Sequence, residues 1–153
     1  MASQTDRIEK KIVLKAPRSR VWRALADSKE FGAWFGASFT QPFAPGETAR
    51  GTITAKGYEG FKFEIVIDRM EPERLLSFRW HPYAIDPKVD YSNETPTLVV
   101  FELEEVPGGT QLKVVESGFD RVPAARRAEA FRKNEEGWGI QMKNVERYVS
   151  EAR

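Results

Sequence analysis

Residues 123–153 read PAARRAEAFRKNEEGWGIQMKNVERYVSEAR, and this stretch decides the fold. It contains no proline after its first residue, and it repeats apolar side chains at helical spacing. The apolar positions are Phe131, Trp138, Met142, Val145 and Val149. This spacing is typical of a long helix that buries one stripe against an apolar surface. The strand-like sequence before it is the only part of the chain that can supply such a surface, so a curved sheet around one helix is predicted.

Length and composition predict a single domain over residues 1–153, because a chain of this size can bury a sizeable core. The absence of cysteine excludes disulfides, thiol nucleophiles and zinc–thiolate sites. The charged N-terminus does not resemble a signal peptide and no segment has the length of a membrane span, so a cytoplasmic location without integral membrane association is expected. The net charge of +1 is too small to predict nucleic-acid binding. No metal-ligand spacing appears, so neither a metal nor a cofactor is predicted.

The middle of the chain alternates apolar and polar residues between glycine and proline turns, which predicts strands. The predicted strands are Ile8–Leu14, Thr48–Ala55, Gly60–Arg69, Leu75–His81, Thr97–Glu104 and Thr110–Ser117, and the predicted short helices are Arg18–Asp27 and Lys29–Trp34. Ser19 is a plausible cap for the first helix, and Gly36 a stop for the second. Gly108 and Gly109 predict a hairpin between the last two strands.

The inward faces of these strands carry more aromatic bulk than a packing layer needs, so they either fill the interior or line a ligand cavity. The candidate cavity residues on the strands are Phe61, Phe63, Ile65, Phe78, Trp80, Val99 and Phe101, and those on the terminal helix are Trp138 and Met142.

Two glutamates are further cavity candidates. Glu135 lies on the apolar stripe of the helix, between Phe131 and Trp138, and Glu116 shares strand parity with Leu112 and Val114. A carboxyl group that faces an apolar interior has a raised pKa or needs hydrogen-bond donors, which makes either residue a possible ligand contact or acid–base group. The alternative is that helix curvature turns Glu135 to solvent.

Gly137 and Gly139 flank Trp138 within the helix, where each costs about 1 kcal/mol relative to alanine. Two explanations are open. Either the helix backbone approaches the sheet closely at this point, or room is needed beside the indole for a ligand or a bend.

His81 is the only histidine, and it begins the connection that runs from Pro82 to Pro96. A connection of this length is typical of a lid, a binding loop or a mobile hairpin tip. His81 could serve as an acid or base at a pocket mouth, although a surface position without a catalytic role is the simpler interpretation. No nucleophile–base pair is recognisable, so no catalytic residue is assigned.

Two segments at opposite ends of the chain resemble a known family. Residues 14–36, LKAPRSRVWRALADSKEFGAWFG, resemble the opening of the START-like helix-grip superfamily. Residues 134–149, NEEGWGIQMKNVERYV, resemble the terminal helix of its branch similar to the C-terminal domain of the activator of heat-shock-protein-ninety ATPase.

The resemblance implies an α+β fold in which six or seven antiparallel strands curve around a long C-terminal helix, with two short helices after strand one. It implies a binding protein for a small apolar or amphipathic ligand, such as a lipid, a polyketide or a flavonoid-like molecule. Two alternatives stay open on this scaffold. One is an enzyme similar to polyketide cyclases and aromatases, with Glu135, Glu116 or His81 steering proton transfer. The other is a co-chaperone-like interaction module with a chaperone or another protein as its partner.

Overall fold

The computed structural model describes residues 6–83 and 88–150; residues 84–87 of the predicted long connection and 151–153 of the predicted helix lie outside this range. The elements in chain order are β1 (Arg7–Leu14), α1 (Arg18–Ala26), α2 (Ser28–Phe35), β2 (Ala37–Phe39), β3 (Thr48–Ile53), β4 (Lys62–Glu71), β5 (Leu75–Trp80), β6 (Thr97–Val106), β7 (Gly109–Ser117), a 3-10 turn (Phe119–Arg121) and α3 (Ala124–Ser150).

The strands form one antiparallel sheet of seven strands in the order β1-β7-β6-β5-β4-β3-β2. The predicted helix-grip architecture is confirmed, including the two short helices between β1 and β2. The sequence pattern alone missed β2, because three residues are too few to show alternation. The predicted hairpin is also confirmed, since Val106 pairs with Gly109 across the turn from β6 to β7.

The two short helices begin and end for different local reasons. Asp27 caps α2, because its side chain accepts hydrogen bonds from the amides of Lys29 and Glu30. Gly36 ends α2 in the left-handed conformation, with φ of 96°, so the predicted stop at this glycine is confirmed. The expected cap at Ser19 is wrong: α1 begins at Arg18 after Pro17, and no side chain caps it.

The long helix α3 lies against β1, α1 and α2 with one apolar face. Its buried residues are Ala130, Trp138, Met142, Val145 and Val149. Four of them belong to the predicted stripe, whereas Phe131 is only half-buried and packs edge-on against Phe119. Four of the five residues of the predicted stripe are therefore buried, and the helix packs against the sheet as expected.

Candidate functional site

The central feature of the interior is a carboxyl group. Glu116, near the end of β7, is completely buried, with 0% of its surface exposed. It faces inward because it shares strand parity with Leu112 and Val114, which are also fully buried. A buried carboxyl group is costly unless hydrogen-bond donors surround it, so its partners determine what this region can do.

Four side-chain donors meet Glu116. Its Oε1 accepts hydrogen bonds from Trp138 Nε1 at 2.8 Å and from Asn134 Nδ2 at 2.9 Å. Its Oε2 accepts from Trp80 Nε1 at 2.7 Å and from Thr97 Oγ1 at 2.5 Å. These five residues, which we call the Glu116 cluster, join β5, β6, β7 and α3. The carboxyl group therefore fixes the position of two indole rings on different elements.

Burial raises the pKa of Glu116, and the hydrogen bonds from Thr97, Trp80, Trp138 and Asn134 oppose that rise only in part. The Thr97 hydroxyl suits both protonation states. It lies 2.5 Å from Glu116 Oε2 and 3.4 Å from the carbonyl oxygen of Trp80. It can donate to the carboxylate, or donate to the carbonyl and accept from a protonated carboxyl group.

The two indoles held by Glu116 stack on each other. The ring centroids of Trp80 and Trp138 are 5.8 Å apart, and the rings are inclined by 29°. Phe35, the last residue of α2, lies 5.8 Å from the ring of Trp80 and 6.2 Å from that of Trp138. Three aromatic rings from α2, β5 and α3 thus form one continuous apolar wall.

A cavity of about 160 Å³ opens to the surface beside this wall. It is lined by Phe35, Trp80, Lys133, Asn134, Gly137, Trp138 and Gln141. Gln141 holds the α2 side of the cavity in place, because its Nε2 donates to the carbonyl oxygen of Phe35 at 2.8 Å. The cavity thus has an aromatic wall together with a few polar side chains, which is the usual composition of a small-molecule site.

Side chains of α2 pack into the space between the sheet and α3. Phe31 of α2 is 1% exposed. Its ring lies within 6.3 Å, centroid to centroid, of the rings of Trp34, Phe35, Phe39, Phe43, Phe78 and Phe101. The helix α2 therefore occupies the volume that a larger ligand would need, and the open cavity lies beyond its C-terminal end.

The predicted cavity residues fall into four groups. Trp80 and Trp138 line the cavity, and Glu116 lies behind them. Ile65, Phe78, Val99, Phe101 and Met142 are buried in the core. Phe63 is half-buried and contacts Phe35 and Phe39, and Phe61 contacts Tyr58 in the turn before β4. Glu135 is exposed on α3, so the structure gives it the solvent position.

Glu135 is displaced from the cavity by the helical phase. Asn134, one residue earlier, reaches Glu116, and each residue turns the helix by about 100°. Asn134 and Trp138, four residues apart, therefore share the face that meets Glu116. An interior position for Glu135 is thus excluded, and the polar residue on that face is Asn134.

Several cavity residues were not predicted. Phe35, Lys133, Asn134 and Gln141 line the cavity without having been assigned to it. Asn134 and Gln141 lie four residues before and three residues after Trp138, so helical spacing was a usable signal for both. No local pattern identifies Phe35, because its position depends on how α2 lies across the sheet.

The two glycines of α3 do not make a close approach to the sheet. A Cβ atom added at Gly137 or at Gly139 would meet no atom of a neighbouring element within 4 Å. Gly137 lines the cavity whereas Gly139 does not. Of the two explanations, room beside the indole is therefore the one that the structure supports at Gly137.

His81 and the described part of the long connection do not belong to the aromatic wall. His81 Nε2 is 2.9 Å from the carbonyl oxygen of Glu94, and His81 does not line the cavity. Arg126 of α3 pairs with the carboxylate of Glu94 and donates to the carbonyl oxygen of Pro82 at 2.7 Å. The described part of the connection is thus tied to the first turn of α3.

A larger concavity, of about 520 Å³, lies along β3 and β4, and the predicted cavity residue Phe63 lines it together with Thr40, Gly51 and Thr52. Arg50, Lys62 and Glu64 line it, and Arg50 Nε is 3.3 Å from Glu64 Oε2. Both partners of that ion pair are exposed. The charged side chains of this concavity are exposed, as is typical of a solvated sheet surface. The smaller cavity lies beside the buried Glu116 cluster and its aromatic wall, and it is therefore the candidate site.

Within residues 6–83 and 88–150, no group of three His, Cys, Asp or Glu side chains could hold a metal ion. In the same part of the chain, no helix is both long enough and apolar enough to cross a membrane.

Residues 15–150 match the family described as activator of Hsp90 ATPase homolog 1-like protein. No curated protein has a sequence that matches the chain.

Solved structures with the same fold have low sequence identity to this chain. Protein MLL2253 from Mesorhizobium loti is 24% identical with a TM-score of 0.74, over 96% of this chain and 98% of that one. A protein from Arthrobacter aurescens is 16% identical with a TM-score of 0.79, over 99% and 90%. DynU16, a protein in the dynemicin biosynthetic locus, is 24% identical with a TM-score of 0.70, over 97% of this chain and 48% of its own. These similarities show the fold alone.

Proposed function

This chain belongs to the activator of Hsp90 ATPase homolog 1-like family, and from that premise we propose that it binds small molecules with a compact aromatic or apolar group. That group enters the cavity beside Phe35, Trp80 and Trp138. The protein acts as a binding or carrier protein, and no reaction is assigned to it.

The observation that carries this proposal is the buried carboxyl group behind the aromatic wall. Glu116 holds the indole nitrogens of Trp80 and Trp138 at 2.7 and 2.8 Å. A wall fixed before binding saves the ligand the cost of ordering it, because immobilising a flexible side chain costs about 0.5–1.5 kcal/mol. Replacing a buried ionic group by apolar residues of similar volume is often neutral or stabilising, so core packing alone does not explain the Glu116 cluster.

The size of the cavity limits the ligand. Its volume is about 160 Å³, and an apolar cavity of about 150 Å³ holds one benzene molecule. Sites that enclose a drug-sized ligand have about 300–1,000 Å³. A lipid, polyketide or flavonoid-like molecule would therefore insert one ring or one short apolar end and leave the remainder at the surface.

The positions of the acidic groups and the histidine do not favour the cyclase-like alternative. Glu135 is exposed and His81 lies beside the Glu94 carbonyl group. Both oxygens of Glu116 are occupied by donors from the protein. None of the three lines the cavity, so none is in contact with a molecule bound there.

Indole N–H signals in NMR spectra test the proposal directly. The chain has four tryptophans, and Trp34 serves as an internal control because its Nε1 donates to the Ala24 carbonyl oxygen inside the core. Titration with phenylacetamide is expected to shift the signals of Trp80 and Trp138 saturably and to leave that of Trp34 in place. A probe this small should bind with a dissociation constant on the order of 1 mM. Signals of Trp80 and Trp138 that do not move would refute the proposal.

The glycines that flank Trp138 provide a matched pair of variants. Gly137→Leu and Gly139→Leu are both expected to raise the free energy of unfolding by about 0.5–1 kcal/mol, because each removes a glycine from a helix interior. Only Gly137→Leu places a side chain at the cavity. It is expected to weaken phenylacetamide binding by about tenfold or more, the equivalent of about 1.4 kcal/mol.

The stability of both variants is measured by chemical denaturation, and their affinities by the same NMR titration. Gly139→Leu controls for the change in helix propensity and should bind the probe within about twofold of the wild type, a difference of well under 1.4 kcal/mol. Equal affinities for Gly137→Leu and the wild type would place the ligand outside this cavity.

A further inference from the structure

Among the described residues that line the cavity, one side chain is charged. Lys133 of α3 lines it together with the amides of Asn134 and Gln141 and the aromatic wall. Lys133 lies four residues before Gly137 on the helix, so the two residues are neighbours along one edge of the cavity. The charge of Lys133 therefore sets the electrostatic character of the entrance.

The charge of Lys133 has no carboxylate partner in the part of the chain that the structure describes. Within residues 6–83 and 88–150, Lys133 forms no ion pair. Glu129 and Glu136 lie at helical spacing from Lys133, but both are exposed. Glu136 pairs with Arg132 instead, with Oε1 and Nη1 3.9 Å apart. A half-buried lysine that has no ion-pair partner among the described residues is a ready site for an anion.

The two amides of the lining are already occupied. Asn134 Nδ2 donates to Glu116, and Gln141 Nε2 donates to the Phe35 carbonyl oxygen. Gln141 Oε1 accepts from Asn144 Nδ2 at 3.0 Å. The polar group of a ligand would have to break one of these bonds to engage an amide, whereas it can approach Lys133 without such a loss.

The buried carboxyl group does not offer a competing site for a cation. Glu116 lies behind the indole N–H groups of Trp80 and Trp138, and each of its carboxyl oxygens accepts two hydrogen bonds. Among residues 6–83 and 88–150, none of those that line the cavity is acidic. A cationic ligand would therefore face the charge of Lys133 and would find no carboxylate to compensate for it.

We propose that the cavity takes small aromatic anions: one ring lies against Phe35, Trp80 and Trp138, and a carboxylate or a similar anionic group pairs with Lys133. This inference rests on the proposed function and adds the chemical class of the ligand. Aromatic faces by themselves attract cations, as in cages that bind quaternary ammonium groups. The described lining contains Lys133 and no acidic residue, which distinguishes this cavity from such a cage.

Three probes that share one ring and differ in charge test the inference. They are phenylacetate, which is anionic, phenylacetamide, which is neutral and nearly isosteric, and phenethylamine, which is cationic. Each is titrated into the full chain, and the indole N–H signals of Trp80 and Trp138 are followed by NMR. Phenylacetate is expected to bind about three- to tenfold tighter than phenylacetamide, as a partly solvated ion pair permits, and phenethylamine is expected to bind most weakly.

Salt and one pair of variants show whether Lys133 is responsible. Raising the ionic strength from about 0.1 M to about 1 M shortens the Debye length from about 10 Å to about 3 Å, and is expected to reduce the preference for phenylacetate. Lys133→Gln is expected to abolish the preference while phenylacetamide still binds. Lys143→Gln removes the same charge from an exposed position of α3 and should keep the preference.

The outcomes separate this inference from the function on which it rests. If the three probes bind equally, or phenethylamine binds most tightly, the anion assignment is wrong while the cavity stays a binding site. If Lys133→Gln keeps the preference for phenylacetate, the assignment to Lys133 is wrong. If no probe moves the signals of Trp80 and Trp138, the proposed function and the inference fail together.

Discussion

Glu116→Gln is expected to lower the free energy of unfolding by about 2–4 kcal/mol, although the two side chains have nearly the same shape. The four donors around Glu116 need acceptors, and an amide offers only one oxygen. The indoles of Trp80 and Trp138 point at different carboxyl oxygens, so either orientation of the amide sets its NH₂ group against one indole N–H. A buried donor without an acceptor costs about 1–3 kcal/mol, and each carboxyl oxygen holds two donors, so the exchange disturbs more than one hydrogen bond.

Chemical denaturation measures this loss, with Glu104→Gln as the matched control. Glu104 is an exposed residue of β6, so the same substitution there should change the stability by no more than about 0.5 kcal/mol. The indole N–H signals of Trp80 and Trp138 are expected to move in Glu116→Gln, because their acceptor has changed. A Glu116→Gln protein as stable as the wild type would show that the cluster does not support the wall.

The pH dependence of this loss has a definite sign. Burial raises the pKa of Glu116 in the folded protein, so near that pKa the folded state binds more protons than the unfolded state. The contribution of Glu116 to stability is therefore complete below the unfolded pKa, about 4.3 for glutamate, and is lost as the pH rises through the folded pKa. Glutamine does not titrate, so the stability difference between wild type and Glu116→Gln is expected to be larger near pH 4 than near pH 7.

Phe31→Ala is expected to lower the free energy of unfolding by about 3–5 kcal/mol, the usual cost of removing a fully buried phenylalanine. The ring of Phe31 lies at the centre of the aromatic residues that α2 brings into the space between sheet and helix. Its loss leaves a hole that rigid rings cannot readily fill. The expected decrease is a large part of the total free energy of unfolding of a folded protein, which is about 5–15 kcal/mol. Denaturant titration measures this decrease.

Phe61→Ala is the control for this second prediction. Phe61 is half-buried and contacts the ring of Tyr58 in the turn before β4, so its removal should cost less than about 1.5 kcal/mol. If α2 fills the space that a larger ligand would occupy, benzene should also raise the stability of Phe31→Ala, as it does where it enters a dry engineered cavity. Equal losses for the two variants would mean that Phe31 does not anchor the interior.

The periodicity of the sequence was enough to predict the elements and their faces. The spacing from Trp138 to Val149 identified the buried stripe of α3, and alternation from Leu112 to Glu116 placed the carboxyl group on the inner face of β7. Both are local properties, since side-chain direction repeats every two residues on a strand and about every 3.6 residues on a helix. The prediction that Glu135 faces the cavity is wrong, because this residue lies at the margin of the apolar stripe. Whether a marginal residue is buried depends on the elements that pack against the helix.

The tertiary structure alone decided what surrounds Glu116 and what stays open beside it. The carboxyl group accepts a hydrogen bond from Trp80, 36 residues earlier in the chain, and another from Trp138, 22 residues later. These contacts depend on the strand order β5-β6-β7 and on how α3 packs against the sheet. The position of α2 likewise determines that Phe31 packs in the interior while Phe35 borders the cavity. Local periodicity records only which way each side chain faces. Which distant residues meet depends on how the sheet and the helices pack together.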